Sequence, residues 1–379
     1  MTSGFVLPPY PYDRLERVRE LAADLPGGAV DLSVGTPCDD PSPAVLDALR
    51  SAAGPYPPSV GTAALRSAAS DWMARRLAVE VDPADVAACV GTKEFVAGLP
   101  HWLRLLRPDR DTVLYPAVSY PSYAMGAVLA GCRAVPVAVD EEWRIDLTSI
   151  GPDDAARALC LWVNTPGNPA GGLDDLVAAA EWGRERDVPV VADECYVEFT
   201  WDGVPAAEGL APGRTILEAG PDGVLALHSL SKRSNLAGAR VGFYAGDADL
   251  VGFLAEVRKH AGLMVPGPAQ AAGVAALGDQ RHVEDQRHRY LTRLERLSSV
   301  LEGCGLRAPM PRGGFYLWVP APGGDAWALV EQLAARLGVV ASPGEFYGDA
   351  GADHVRLAVV QPDGALDLVE RRAAGVSLT

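Results

Sequence analysis

The sequence predicts an α/β fold with a largely parallel sheet and a second, smaller α+β lobe. Short apolar runs alternate with helical periods from about residue 60 to residue 260, a pattern that is typical of βαβ units. The chain has 379 residues, which is more than one typical hydrophobic core accommodates. Hydrophobic residues make up 49% and charged residues 22% of the chain, so a globular rather than a disordered protein is expected.

Seven apolar runs are the predicted strands of the larger lobe, and helix-like stretches such as Leu65–Leu77 and Leu173–Arg186 lie between them. The predicted strands are Val86–Val90, Thr112–Leu114, Ala134–Val139, Ala158–Val163, Val188–Ala192, Val224–Leu227 and Val241–Ala245. Because ligands gather at the carboxyl ends of strands in such sheets, the residues that follow these runs are candidate site residues.

A long helix from Asp279 to Leu301 is expected next, with its charged residues on a solvated face. The smaller lobe then follows as three short strands, Phe315–Val319, Gly338–Ala341 and His354–Val360. Residues 1–44, rich in proline and turn signals, are expected to join that lobe. The predicted domains are therefore residues 45–290, and residues 1–44 together with 291–379.

Composition argues against several classes of partner. The net charge is −16 and the pI is about 4.8, which disfavours binding to nucleic acid or anionic membranes. Six cysteines without paired spacing indicate reduced thiols in the cytoplasm, with no zinc motif and no disulfide framework. The N-terminal residues lack a signal peptide pattern, and the most apolar late stretch, Gly262 to Leu277, is interrupted by prolines.

Lys232 lies in the most informative segment, the run from Ser229 to Gly242 that follows an apolar strand. Burial disfavours the charge of a lysine and makes its amine available as a nucleophile toward an aldehyde. Ser229 lies three residues before it and Arg240 eight residues after it, and together they form a plausible clamp for a phosphate. A surface lysine at a strand end is the plain alternative. The serine-x-x-lysine pattern of penicillin-binding enzymes also fits, but its companion triplets are missing from the chain.

This run resembles the lysine signature of the class I and II aminotransferases that use pyridoxal 5′-phosphate (PLP). The resemblance implies the PLP-dependent transferase fold type I, with a seven-stranded, mostly parallel sheet in the large domain. It also implies that Lys232 is the lysine that binds the PLP aldehyde and that Ser229 and Arg240 bind its phosphate.

Asp193 closes the run Val188–Ala192, and an acid at the end of an apolar strand requires a cationic partner. A protonated pyridine nitrogen would serve, and Tyr196 could donate a hydrogen bond to the phenolic oxygen of the ring. Asn168 follows another strand and resembles the family asparagine that contacts this oxygen and the substrate carboxylate. A helix cap at Asp193 and an ordinary turn at Asn168 are the structural alternatives.

Further positions extend the resemblance. Gly91, Thr92 and Lys93 open a predicted helix, and backbone N–H groups at such a start bind phosphate. Tyr120 resembles the aromatic residue that stacks on the PLP ring, with core packing as its alternative. Tyr56 is similar to the tyrosine that reaches the phosphate of the partner subunit, which implies a homodimer with shared active sites.

Arg356 is a charge within a predicted apolar strand and therefore requires an anionic partner. The family uses this arginine to bind the substrate α-carboxylate, and Gly35 resembles the glycine that closes over it. The resemblance covers residues from about 5 to 370 and points most closely to N-succinyldiaminopimelate aminotransferases of bacterial lysine biosynthesis. It implies amino-group exchange between glutamate and N-succinyl-2-amino-6-ketopimelate.

Two departures leave the substrate open. The segments Thr165-Pro166-Gly167 and Gly313-Gly314-Phe315 differ from the family pattern, as in a paralogue with another amino acid or a secondary-metabolite keto substrate. A PLP lyase of the same fold would share Lys232 and Asp193. A PLP-binding transcriptional regulator would require a DNA-binding segment and basic charge, which the sequence lacks. Residues Arg258, Lys259 and His260 are either ligands for distal carboxylates of the substrate or solvated helix residues.

Overall fold

The computed structural model describes residues 10–50, 54–201 and 213–378 of the chain. Its strands are β1 Val30–Asp31, β2 Val86–Cys89, β3 Thr112–Pro116, β4 Arg133–Val137, β5 Ala158–Asn164, β6 Val190–Asp193, β7 Val224–Ser229, β8 Gly242–Gly246, β9 Tyr316–Pro320, β10 Val339–Val340, β11 Ser342–Pro343 and β12 His354–Ala358.

The α-helices of the described residues alternate with these strands along much of the chain. They are α1 Glu16–Ala23, α2 Pro43–Leu49, α3 Ala63–Leu77, α4 Thr92–Leu106, α5 Ser122–Leu129, α6 Pro152–Arg157, α7 Leu176–Arg186, α8 Leu230–Arg233, α9 Ala248–His260, α10 Gly267–Gly278, α11 Gln280–Gly303, α12 Ala326–Leu337 and α13 Asp363–Ala373. In this part of the chain, every helix is too short or too polar to cross a lipid bilayer.

The chain divides into two compact units. The larger one comprises Thr36–Thr292 and Pro311–Tyr316, and the smaller one comprises the residues up to Gly35, Arg293–Met310 and the residues from Leu317 onward. The sequence placed these divisions at 44/45 and 290/291. Residues 311–316 group with the larger unit because their backbone is hydrogen-bonded to it, with Gly314 donating to Phe199 and Trp201 donating to Arg312.

The larger unit is built on a seven-stranded sheet in the order β2-β8-β7-β6-β5-β3-β4. All seven strands predicted from the sequence are present, and the prediction of a largely parallel sheet is confirmed. Only β8 runs antiparallel to its two neighbours, β2 and β7. The buried strands β5 and β6 are apolar almost throughout, as expected for a sheet that is covered on both faces.

Alternate residues along the strands supply two apolar cores, one on each face of this sheet. Val86 and Ala88 of β2 belong to the core that contains residues of α3, α7 and α10, whereas Ala87 and Cys89 belong to the core that contains residues of α4, α5 and α9. Period-two alternation of side chains in a strand accounts for this division. The two cores fix the backbone of the sheet and thereby the positions at which each strand ends.

The smaller unit contains the parallel pair β1-β10 and the three-stranded sheet β11-β12-β9. The three predicted strands of this lobe are found. The predicted strand Gly338–Ala341 corresponds to β10, and the additional strand β11 follows it. Within the unit, α1 and α12 pack against each other.

The expectation that the charged residues of α11 form a solvated face is wrong for two of its arginines. Arg287 and Arg293 are each 2% exposed. Arg287 donates to the carbonyl oxygens of Glu198 and Thr200, and Arg293 donates to the carboxylate of Asp363 at 2.8 Å. Hydrogen bonds to acceptors that lie far away in sequence offset the burial of these charges, and such acceptors cannot be identified from the helical period.

Candidate active site

The carboxyl ends of the central strands bring several of the predicted site residues together at one edge of the sheet. Asn164 of β5 is in register with Asp193 of β6, and Asp193 is in register with Leu227 of β7. At the antiparallel strand β8, Gly242 is in register with both Ser229 of β7 and Cys89 of β2. The segments that carry Asp193, Lys232, Arg240 and Gly91 therefore meet at this edge.

Asp193 is buried, and its carboxylate accepts two hydrogen bonds. The hydroxyl of Tyr123 donates to Oδ2 at 2.8 Å, and the backbone N–H of Cys195 donates to Oδ1 at 3.2 Å. Burial raises the pKa of Asp193, while these donors and the positive charge of Lys232 lower it. A cation placed against this carboxylate would stabilise its charged form further.

Tyr123 was not predicted as a site residue. It lies on α5, is fully buried, and stacks on Trp162 with the ring centroids 5.0 Å apart. Burial and the neighbouring Asp193 raise the pKa of its phenol, so the hydroxyl stays protonated and acts as a donor. The only sequence signal was its place three residues after Tyr120, which is also the spacing at which side chains share one face of a helix.

Lys232 lies on the short helix α8, which begins directly after β7. The hydroxyl of Ser229 accepts a hydrogen bond from the backbone N–H of Ser231 and thereby caps this helix. Lys232 is half-buried, and its Nζ lies 5.9 Å from the centroid of the Phe315 ring. The alternative of an exposed surface lysine does not describe this environment.

Gly91 and Arg240 are in close contact. Gly91 has a φ of +75°, and a Cβ built on it would lie 2.1 Å from a guanidinium nitrogen of Arg240. Only glycine leaves room for that guanidinium beside the start of α4. Arg240 donates to the carbonyl of Ala237 at 2.9 Å, which fixes its direction. The backbone N–H groups at the start of α4 and the guanidinium together form an anion-binding arrangement.

Cys195 connects the Asp193 segment to this helix start, because its thiol donates to the hydroxyl of Thr92 at 3.4 Å. Burial and the charge of Asp193 raise the pKa of the Cys195 thiol well above its usual range, so it stays protonated. All six cysteines of the chain are free thiols.

Asn168 is buried in the loop after β5, and Asn164 holds this loop in place. The side chain of Asn164 accepts the backbone N–H of Asn168 at 2.8 Å and donates to the carbonyl of Asp193 at 2.8 Å. Asn164 therefore joins two predicted site residues through opposite ends of one amide. This role of Asn164 was not predicted from the sequence.

The three predicted aromatic residues, Tyr196, Tyr120 and Tyr56, differ in how deeply they are buried. Tyr196 is buried, and its hydroxyl lies 2.8 Å from that of Tyr316. Tyr120 is half-buried, forms an edge-to-face contact with Tyr123, and lies with its ring centroid 5.9 Å from Nζ of Lys93. Lys93 itself is exposed on the first turn of α4. Tyr56 is 92% exposed.

The two segments that depart from the family pattern touch each other. A Cβ built on Gly313 would lie 2.5 Å from a ring carbon of Pro166, and one built on Gly171 would lie 2.5 Å from the carbonyl oxygen of Gly313. Pro166 therefore requires the glycine at position 313. The two departures form one local change, which lies between the Asn168 loop and the segment that carries Phe315.

In the smaller unit, Arg356 on β12 is 2% exposed, and its guanidinium donates to the carbonyl of Ser33. It also lies 4.7 Å from the ring centroid of Tyr347 and 3.4 Å from the hydroxyl of Tyr12. Ser33 is two residues before Gly35, so the structure brings the predicted carboxylate-binding segments of this unit together. Tyr12 and Tyr347, whose hydroxyls are 3.0 Å apart, were not predicted.

The alternatives for Arg258, Lys259 and His260 are partly resolved by the structure. Arg258 is 1% exposed and forms a bidentate ion pair with Glu94, with both distances 2.7 Å. Its charge is therefore engaged by Glu94 rather than available to a substrate. Lys259 and His260 are exposed at the end of α9, where Lys259 lies 3.4 Å from Glu256.

Comparison with known proteins gives consistent matches over nearly the whole chain. The family model of "Aminotransferase class I and II" matches residues 28–371. The chain is 42% identical over 362 residues to a 4-dedimethylamino-4-oxo-anhydrotetracycline transaminase of Streptomyces rimosus, covering 94% of this chain and 96% of that protein. It is 32% identical to an LL-diaminopimelate aminotransferase of Aquifex aeolicus, covering 97% and 96%.

Solved structures agree in fold. An aminotransferase from Neisseria meningitidis superimposes with a TM-score of 0.87 at 27% identity, covering 97% of this chain and 98% of that one. A probable N-succinyldiaminopimelate aminotransferase from Thermus thermophilus gives a TM-score of 0.83 at 28% identity, covering 96% and 99%. The expected transferase fold is therefore confirmed.

The hydrogen bond from Tyr123 to Asp193 is expected to stabilise the protein. Tyr123→Phe removes a donor to a buried carboxylate, and we expect it to lower the free energy of unfolding by about 1.5–3 kcal/mol in urea denaturation at neutral pH. Tyr244→Phe is the matched control, because Tyr244 is equally buried and its hydroxyl has no hydrogen-bond partner among the described residues. That variant should be neutral or more stable. Equal losses in both variants would contradict the assignment.

Proposed function

This chain belongs to the class I and II aminotransferases, which depend on PLP, and from that premise we propose that it exchanges an amino group between glutamate and N-succinyl-2-amino-6-ketopimelate. The observation that supports PLP-dependent amino transfer is a set of groups at one edge of the sheet: Lys232, a buried carboxylate at Asp193, and an arginine packed on a glycine at the start of a helix. Each of these features complements a different part of PLP.

The cofactor fits the residues at the carboxyl edge of the sheet. Asp193 is a buried acid whose pKa is raised by burial, and a protonated pyridine nitrogen is a suitable partner for it. The N–H groups of Thr92 and Lys93 at the start of α4, together with Ser229 and Arg240, would hold the phosphate. Asn168 and Tyr196 would donate to the phenolic oxygen, and Tyr120 would stack on the ring.

When bound, PLP supplies an aldehyde that accepts amino groups and a ring that withdraws electrons. Lys232 would provide the amine that holds this aldehyde, and its Nζ would carry a proton to and from the substrate. Asp193 supplies a fixed negative charge, which Tyr123 and the N–H of Cys195 orient. Arg356 binds the α-carboxylate of the amino acid, with Gly35 beside it, and thereby selects α-amino acids over simple amines.

The choice of a diaminopimelate-type substrate is supported by the similar proteins with that name in both comparisons. With Arg258 paired with Glu94, Lys259 and His260 remain the candidates of this group for binding a distal carboxylate.

A second candidate substrate is a 4-oxo-anhydrotetracycline-like ring ketone. The relative with 42% identity is named for such a reaction. The contact between Pro166 and Gly313, where two departures from the family pattern meet, is consistent with a changed acceptor. Glutamate as the amino donor and Arg356 as its carboxylate partner are common to both candidates.

We also propose a homodimer with shared sites. Tyr56, which is 92% exposed, would reach the phosphate bound by the other subunit. Six free thiols are consistent with a reducing compartment, and we place the enzyme in the cytoplasm.

Lys232→Ala should abolish turnover of glutamate and prevent reductive attachment of PLP by borohydride, because it removes the amine proposed to bind the aldehyde. Lys259→Ala is the control for the attachment of PLP, since Lys259 is an exposed lysine beside Glu256, and this variant should retain reductive attachment. Mass spectrometry of borohydride-treated protein locates the attachment. Turnover by Lys232→Ala at an ordinary rate would refute the assignment of this lysine.

A screen of keto acids with glutamate as donor tests the substrate directly. We expect release of 2-oxoglutarate and the highest kcat/KM with N-succinyl-2-amino-6-ketopimelate. A higher value with a tetracyclic ring ketone would replace the first candidate by the second. Loss of carbon dioxide or elimination from an amino acid, without 2-oxoglutarate, would instead identify a PLP lyase.

A further inference from the structure

A small cavity lies inside the larger unit, behind the helix that carries Lys232. Its volume is about 10 Å³, which accommodates the centre of a single water molecule. The residues that line the cavity include Trp72, Phe243 and Glu198. Three further polar residues, Glu194, His228 and Arg233, also line it. None of these three was assigned a role in the sequence analysis or in the reaction.

Polar atoms without a hydrogen-bond partner line this cavity. Among the described residues, Oε2 of Glu194, both ring nitrogens of His228 and Nε of Arg233 lack such a partner. The three side chains are 1%, 3% and 4% exposed, so bulk water does not satisfy them. Nε2 of His228 lies 3.5 Å from Oε2 of Glu194, too far for a good direct hydrogen bond. Buried groups of this kind are usually satisfied by an internal water molecule.

Only one of the two carboxylate oxygens of Glu194 accepts hydrogen bonds from the described residues. Its Oε1 accepts the hydroxyl of Thr215 at 3.1 Å and the backbone N–H of Ile216 at 2.8 Å. Burial is the main cause that raises the pKa of Glu194, and the anions Asp193 and Glu218 add to it. Against the lowering by the donors Ile216 and Thr215, the pKa of Glu194 is raised to about 8. At neutral pH its Oε2 therefore carries a proton that it can donate.

Glu198, four residues later, is a natural comparison. Oε2 of Glu198 accepts from Arg76 at 3.1 Å, Oε1 accepts from Trp72 at 2.9 Å, and Nε of Arg233 lies 3.5 Å away. These cations hold the pKa of Glu198 below its usual value. Burial lowers the pKa of His228 to about 3, so the imidazole is neutral and one of its nitrogens can accept a hydrogen bond.

We propose that the cavity binds one water molecule, which accepts hydrogen bonds from a protonated Glu194 and from Nε of Arg233 and donates one to His228. The unpaired oxygen of Glu194, Nε of Arg233 and one ring nitrogen of His228 are then satisfied, because the acid and the guanidinium each provide a hydrogen and the imidazole provides a lone pair. The arrangement holds whichever keto acid is the substrate.

Each of these three residues is adjacent in the chain to a predicted cofactor-binding residue. Glu194 follows Asp193, His228 precedes Ser229, and Arg233 follows Lys232. The bridging water therefore ties together the three segments that carry the predicted cofactor residues. A neutral Glu194 leaves Asp193 as the negative charge at the end of β6, so Glu194 is a positioning residue rather than a catalytic one.

Glu194→Gln tests the proposal in the full-length holoenzyme, because a carboxamide retains one acceptor and one donor without an ionisable proton. Since the folded-state pKa of Glu194 is raised from 4.5 to about 8, its contribution to stability is present below pH 4.5 and is lost as the pH rises toward 8. Urea denaturation between pH 5 and pH 8 should show that the variant lacks this decline. Glu198→Gln, the control, removes a charge paired with two arginines and should destabilise the protein throughout.

Two further measurements are independent of activity. Infrared difference spectra at neutral pH should show a protonated carboxyl band that disappears in Glu194→Gln, and a crystal structure should show one water molecule within hydrogen-bond distance of Glu194, His228 and Arg233. Parallel pH profiles for the wild type and Glu194→Gln, absence of the carboxyl band, a dry cavity, or failure of Glu194→Gln to fold at pH 6 would each overturn the proposal.

Discussion

The carboxylate of Asp193 is buried at the end of β6, and much of the larger unit is arranged around the requirement to keep that charge in place. A buried carboxylate is stable only where donors and cations offset the loss of water. Tyr123 and the backbone of Cys195 supply the donors, and Lys232 supplies positive charge nearby. The register of β5, β6 and β7 brings these groups together, because the carboxyl ends of the strands meet at one edge.

Other buried charges of this unit form ion pairs that do not include Asp193. Glu94 is paired with Arg258, and Glu198 is paired with Arg76 and lies beside Arg233. These three arginines are engaged by Glu94 and Glu198, so none of them is diverted to Asp193. This separation leaves the field at the end of β6 to be set by Asp193, Lys232 and whatever cation binds there, which is the condition that PLP chemistry requires.

The sequence predicted the seven strands of the sheet and the residues that follow them, because both depend on local patterns of apolar residues and on short motifs. Partners that lie far apart in the chain were not predictable. Tyr123 and Asp193 are 70 residues apart, and Arg287 reaches the carbonyl of Glu198 over 89 residues. The helical period assigned Arg287 to a solvated face, since nothing local indicates an acceptor on another element. For the same reason, Arg258 remained a candidate substrate ligand until its pairing with Glu94 was seen.

The proposed chemistry of the site depends most directly on the negative charge of residue 193. Asp193→Asn retains the size of the side chain and removes the charge, so the variant should still bind PLP and attach it to Lys232. Its single-turnover reaction with glutamate, followed by the absorbance of the cofactor, should be slower than that of the wild type by about a hundredfold or more. A rate close to that of the wild type would show that this carboxylate does not stabilise the reaction and would contradict the account.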